Sequence, residues 1–261
     1  MFATHFFENM ILNTFRDMTA VGIGNLFVGL FVTSPTDTGS AGLEVAYTGY
    51  ARQPVSFTIP YEESGGIGIR NTTDMIWAAA PADVGIVRYV GVFDTQTIGA
   101  GNMLLYGELN IPLDVRAGQQ PSIYEGEMLY FALGAYSVRL KTDMLNVLRG
   151  QNLNGFNPFM ALFDGDPEGA GVELSGGAYA RPALTFGAPA IQVGGHTLIS
   201  NTSVARFPMP TTPWGNWAYQ GIMDAPTGGN LLVSSINPRP EVIQRGYVPV
   251  VPVANARVSL H

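Results

Sequence analysis

Apolar positions along this chain fall in short runs broken by Gly, Pro, Asn and Asp. "NLFVGLFVT", "IVRYVGVFD" and "NMLLYGEL" occur in the first half, and "PFMALFD", "WAYQGIMDA" and "NLLVSSI" in the second. Runs of this length between turn residues predict short strands. "ARQPVSFTI" and "ARPALTF" alternate instead, with aliphatic and aromatic residues turned inward. Pro54 and Pro182 place those two strands at sheet edges, because proline cannot donate to a ladder. Only two stretches carry helical spacing. Phe6, Phe7, Met10, Ile11 and Phe15 recur at three and four, and Met144, Leu145, Val147 and Leu148 do so more briefly. Asp143 is the expected N-cap of the second helix and Gly150 its stop. "MLYFALGAYSVRL" and "YVPVVPVANARVSL" are expected to close the two halves as strands.

The halves match in order. "MILNTFR" aligns with "MLNVLR", "FVGLF" with "FMALF", "NTTDMIWAAAP" with "NTSVARFPMP", "GVFD" with "GIMD", and "GNMLLYGEL" with "GNLLVSSI". Matches in one fixed order imply a tandem duplication. Aligning Val138–Leu140 with Val258–Leu260 makes residues 1–141 one unit and 142–261 the other. It also gives the first unit about eight extra residues within 119–136. With 32 Gly and 18 Pro, the expected fold is mainly β. It consists of two tandem antiparallel β-sandwich, jelly-roll-like domains, each opening with a short α-helix. No Gly/Ser linker separates them, so they are expected to sit close together.

Tyr-Ala-Arg is written twice, ending at Arg52 and Arg181, with a Phe five residues later in each copy. A duplicated building unit explains this better than a catalytic motif. Tyr and Phe are expected as core anchors, with the Arg emerging on the polar face. Glu44 and Glu173 lie eight residues before their Arg, a separation suited to two arms of a hairpin. Arg52–Glu44 and Arg181–Glu173 are therefore expected pairs; an Arg exposed at an interface is the alternative.

Composition narrows the function. Charged residues make up 13% of the chain and hydrophobic ones 46%. Ordinary domains carry about 25% charged residues, so part of this surface is expected to be covered by partners. The formal net charge is −7 and Lys141 is the sole lysine. Phosphate neutralisation needs a basic patch, so nucleic acid and anionic membrane are not expected partners. The chain has no cysteine. Its first residues lack the basic start of a signal peptide and include Glu8 and Asp17, so synthesis in a cytoplasm is expected.

Candidate chemistry is sparse. His5, His196 and His261 form no metal pattern. Asp164, Asp166 and Glu168 alternate as in a calcium loop, but lack its central glycine and distal glutamate, and read as a solvated turn. "GGIGIRN" has no Lys-Ser/Thr after it and reads as a flexible loop. Glu62 and Glu63 point to opposite faces of a strand, unlike a glycosidase pair. Neither catalytic residues nor a cofactor or metal site is expected. Trp214, Trp217 and Tyr219, around a Gly-Asn turn, are core candidates. With Tyr124 and Tyr130 they are also candidate interface or glycan contacts.

The order "FxxLF", "E…GGxYAR…F", "NT…P" and "W…GIMDAPTGGNLL" resembles a family of small structural proteins of tailed bacteriophages, labelled tail, tail-fibre or minor structural proteins. The second unit carries it best, through Gly177, Tyr179, Ala180, Arg181, Phe186, Trp214, Gly221, Asp224 and Thr227–Leu232. The resemblance implies a non-enzymatic virion component made in the host cytoplasm. Such a protein packs against other virion proteins and copies of itself in the tail, baseplate or fibre-attachment region, with no small-molecule ligand expected. A capsid decoration or cement protein, and a host-receptor or glycan-binding adhesin, are the alternatives. Two linked copies can meet neighbours in unequal ways, and residues 119–136 are where they are expected to differ.

Overall fold

A computed structural model of the chain describes residues 1–38, 41–63, 66–132, 136–193 and 195–260, with backbone alone for Leu129, Phe131 and Ala132. The first set of elements runs β1 (Phe2–Ala3), α1 (His5–Leu12) with a 3₁₀ turn at Asn13–Arg16, β2 (Leu26–Phe31), β3 (Gln53–Val55), β4 (Tyr61–Glu63), β5 (Gly66–Arg70), β6 (Met75–Ile76), β7 (Gly85–Phe93), β8 (Met103–Val115), β9 (Ser122–Ile123) and β10 (Leu129–Ala132). The second runs α2 (Val138–Val147), β11 (Phe159–Phe163), β12 (Ala190–Ile191), β13 (Thr197–Ser200), β14 (Ala205–Arg206), β15 (Gly215–Met223), β16 (Leu231–Ile243), β17 (Val250–Val251) and β18 (Arg257–Leu260).

All pairings are antiparallel and the second set repeats the first. β2–β7–β8 recurs as β11–β15–β16, β4–β5–β10 as β12–β13–β18, and β6–β9 as β14–β17. Isolated bridges repeat as well: Phe31–Glu44 as Phe163–Glu173, and Phe57–Asn71 as Phe186–Asn201. The chain is thus mainly β, and each set opens with a helix. Its sheets are several small ones rather than two broad ones, because Gly- and Pro-rich turns interrupt the strands. β3 lies at a sheet edge, where Pro54 leaves no donor unmatched.

The C-terminal end of the repeat corrects the expected register. Val138–Leu140 is not a closing strand but the first turn of α2, capped by Ser137, whose hydroxyl accepts from Leu140 N at 3.1 Å. Thr4 caps α1 in the same way. The expected cap Asp143 lies inside α2, as does the expected boundary at Lys141–Thr142. The counterpart of β18 is β10, and the counterpart of β17 is β9. Residues 119–136 therefore hold repeated strands, not an insertion; residues 133–135 lie outside the described residues. The pattern of "VRL" misled because three residues, apolar-polar-apolar, fit a strand and a helix turn equally well.

One continuous core runs through both sets. α1 packs on β8 of its own set and on β13 and β18 of the other; α2 packs on β16 and, across the chain, on β5 and β10. The contact is reciprocal at backbone level. Ile23 N donates to Val147 O at 2.7 Å, and Phe156 N to Thr14 O at 2.6 Å. Each bond is the other's image under the repeat. Ala20 and Leu153, also repeat partners, bridge each other in both directions. The halves are thus related by a local two-fold, the isologous geometry of a dimer written in one chain. Glycine permits the approach. A Cβ on Gly22 would lie 2.2 Å from the Gly150 carbonyl carbon, and one on Gly155 would lie 2.3 Å from that of Asp17.

Candidate functional site

The twin Tyr-Ala-Arg stretches sit at a gap in an edge strand. Glu44 bridges Phe31 near one end of β2, and β3 pairs with Leu26–Val28 at the other. Between them the chain leaves the sheet and returns. Glu44 and Arg52 stand at the neck of that excursion, rather than on two arms of a hairpin. Arg52 donates to both carboxylate oxygens of Glu44, Nε to Oε1 at 2.8 Å and Nη2 to Oε2 at 2.9 Å. Arg181 and Glu173 make the same bidentate pair, Nε to Oε1 at 2.7 Å and Nη2 to Oε2 at 2.5 Å. A planar fork matched to a carboxylate is the strong form of this interaction.

The arginines do not emerge on a polar face. Their side chains are 2% and 5% exposed. The guanidinium of Arg52 lies 3.4 Å from the centroid of the Phe93 ring. Its remaining nitrogen, Nη1, donates to Thr95 O and Ala100 O in the β7–β8 turn. Arg181 Nη1 likewise donates to Ala225 O and Gly228 O in the β15–β16 turn. The arginine thus joins three segments, and its burial is offset because each of its three nitrogens donates to an acceptor. The Glu173 carboxylate raises the Arg181 pKa further above its ordinary value.

The tyrosine completes the unit. Leu30 N, in the strand gap, donates to Tyr50 Oη at 2.8 Å, and Leu162 N to Tyr179 Oη at 3.1 Å. Tyr179 Oη donates on to Glu173 at 2.9 Å. Burial pushes both phenols well above their ordinary pKa. The hydroxyl supplies the acceptor that a neighbouring strand would have given. The turns are closed by Asp94, which accepts from Asn102 N at 2.7 Å and Nδ2 at 2.8 Å, and by Asp224, which accepts from Asn230 N at 2.6 Å and Nδ2 at 2.8 Å. The glycine before each Asn has positive φ, and a Cβ there would fall 2.4 Å from the Asp oxygen.

Sequence reasoning missed these hydroxyl and turn roles, although the repeated "D…GN" spacing signalled the second. It also missed Asn71 and Asn201. Each donates to two backbone carbonyls and accepts from a third segment, Met128 N or Ala256 N.

The remaining candidates do not gather. Trp214 is 5% exposed, packs edge-on against Tyr179 at 5.0 Å, and donates to Gly177 O at 3.1 Å. Trp217 is 8% exposed, and its Nε1, like that of Trp77, is buried without a partner. Burial of both rings counts against an exposed aromatic platform. Tyr219 is half-buried, Tyr130 buried and Tyr124 exposed.

Asp164 and Asp166 accept from Val172 N and Glu168 N, and Glu168 accepts from Val138 N, so all three turn to the backbone. Gly66–Arg70 is strand β5, not a flexible loop, and its Arg70 pairs with Glu63 at 2.6 Å; Gly65 lies outside the described residues. His5 Nε2 lies 2.6 Å from Gly195 O, and His261 lies outside the described residues. Among the described residues no three of His, Cys, Asp and Glu cluster as metal ligands, and no helix is long and apolar enough to cross a membrane.

A protein-family model described as podophage GP4 fiber I protein gp80 matches residues 2–129 and, a second time, residues 135–259. No curated protein matches the chain.

Proposed function

Because the chain belongs to the podophage GP4 fiber I protein gp80 family in two tandem copies, a family of structural virion components of the phage tail, we propose that it works without catalysis, by packing against other tail proteins. The observation that carries this reading is the fate of its most distinctive polar residues. Glu44, Arg52, Glu173 and Arg181 pair with one another and with the adjacent turns, a structural use of the chain's most distinctive polar residues. They act as locks on surface loops. Low charge density favours a surface meant to be covered.

In this reading residues 1 to about 135 and about 136 to 261 are the two building units, split just before the Ser137 cap. The local two-fold turns them to opposite sides, so each meets a different neighbour, among them further copies of the chain. The test is quantitative mass spectrometry of purified virions. A copy number in multiples of the tail symmetry, about six to a few dozen, supports the reading. On the order of hundreds of copies, as on a capsid lattice, or absence from the particle, overturns it.

A further inference from the structure

In each unit the long hairpin continues into a two-stranded ribbon. In the first, residues 74–86 run beside 114–125; in the second, 204–216 run beside 242–253. The backbone bonds repeat. Trp77 N donates to Pro121 O as Phe207 N does to Pro249 O, and Gly118 N to Ala80 O as Gly246 N does to Pro210 O. The inward faces repeat as well. Met75, Trp77, Val115 and Ile123 are buried in one ribbon, and Ala205, Phe207, Ile243 and Val251 at the matching places in the other.

The outward faces do not repeat. Asp74, Asp83, Asp114 and Glu125 are all exposed on the first ribbon, with Arg116 as its one basic residue, paired to Asp114 at 2.8 Å. Register puts Val204, Pro213, Val242 and Val253 at the four acidic places of the second ribbon, and all are exposed. No acid remains in 204–216 or 242–253. Instead Arg206 stands where the first ribbon has Ile76, and Arg245 where it has Ala117. Among the described residues neither arginine has a carboxylate within ion-pair distance. Glu241, just before this ribbon, is engaged by Tyr247 Oη, which donates to it at 3.0 Å. The wider charge agrees: residues 1–135 carry 13 carboxylates against 5 arginines, whereas residues 136–261 carry 7 against 8 basic side chains.

Drift on a solvated surface would exchange one polar residue for another. Here acids have given way to valines about half exposed, with Met209 and Tyr247 also exposed on the same ribbon. Exposed apolar side chains with unpaired arginines and no acids have the composition of an interface rather than of a free surface. The first ribbon is its electrostatic complement on an equivalent backbone.

We propose that the second unit's ribbon docks on the first unit's ribbon of the next copy of this chain, head to tail. Arg206 and Arg245 meet the carboxylates of Asp74, Asp83, Asp114 and Glu125. The exposed valines meet Ile76, Ile86 and Tyr124, which are exposed on the first ribbon. Two like ribbons would face each other with the same charge and repel. A contact between unlike faces closes into a ring or runs on as a filament, instead of stopping at a dimer. The proposal rests on the packing role given above, but the contact is tested on the isolated chain, so its failure leaves the virion copy number as a separate result.

The test is sedimentation velocity of the full chain over a range of concentrations and salt. The average mass should rise with concentration beyond that of one chain, and less so in high salt, which screens exposed charges. Arg206→Glu with Arg245→Glu makes both ribbons acidic; Asp114→Arg with Glu125→Arg makes both net basic. Each double variant should self-associate about tenfold more weakly than the parent. Mixed together they should associate again, because the mixture holds one unaltered ribbon of each kind. Melting temperatures confirm that the variants fold, and Glu125→Arg alone serves if the acidic-ribbon pair does not. A chain that stays monomeric at every concentration, a double variant that self-associates like the parent, or a mixture that associates no better than its components overturns the proposal.

Discussion

The two units keep one feature nearly atom for atom and abandon another. The Glu–Tyr–Arg lock recurs with the same donors, acceptors and turn carbonyls in both. The outward face of the ribbon beyond β7 and β8 carries four exposed acids in the first unit, and its counterpart in the second carries none. A lock is over-determined: removing any member strands a buried charge or amide. An outward face can trade its charges without disturbing the residues packed beneath it. Duplicated units therefore diverge where packing is forgiving.

The comparison can be broken first at the lock. Arg52→Ala strands Glu44, and denaturant unfolding is expected to show a loss of about 3–5 kcal/mol. Arg181→Ala should cost less, because Glu173 is 26% exposed against 12% for Glu44. Lysine should not rescue either site, since it cannot make the bidentate fork. Equal losses would show that solvent does not distinguish the two copies.

The inter-unit seam comes next. Gly22→Ala and Gly155→Ala each force a methyl into backbone of the other unit, costing about 1–3 kcal/mol. The local two-fold predicts matched losses, seen as parallel drops in melting temperature; a silent Gly155→Ala would break the symmetry. Tyr50→Phe and Tyr179→Phe leave Leu30 N and Leu162 N without an acceptor, for about 1–2 kcal/mol each in unfolding titrations.

The smallest effect tests where the units differ. Glu8 on α1 is 2% exposed, and its carboxylate accepts from Thr197 of the second unit at 2.5 Å; α2 carries Lys141 at the matching place. Burial raises the Glu8 pKa above its ordinary value, against the lowering effect of Thr197 and His5. The folded chain thus holds that proton more tightly than the unfolded chain. Its contribution to stability is full below the unfolded carboxylate pKa and is lost as pH rises through the raised folded value. Glu8→Gln should flatten the part of the stability profile that falls as pH rises above the ordinary carboxylate range, read from melting temperatures.

Much of this was legible in the sequence. β2, β7 and β8 and their copies stood out as apolar runs between turns, and the Arg–Glu spacing brought the right partners together. The burial of those arginines was not legible, because the acceptors for Nη1 come from turns more than forty residues away. The start of α2 was hidden because Ser137 and Val138–Leu140 alternate like a strand; only contact with β5 and β10 selects the helix. The unequal ribbons were illegible for a related reason. Asp74 meets Glu125 across 51 positions of sequence, and only the fold sets them side by side.

The account's central claim is that two symmetric, locked units form one tail component. Cryo-electron microscopy of intact virions tests it most directly. The account predicts density for this chain at the tail, with the two units joined through the Ala20–Leu153 seam and meeting different neighbours. Density over the capsid lattice, or two units in identical surroundings, would contradict it.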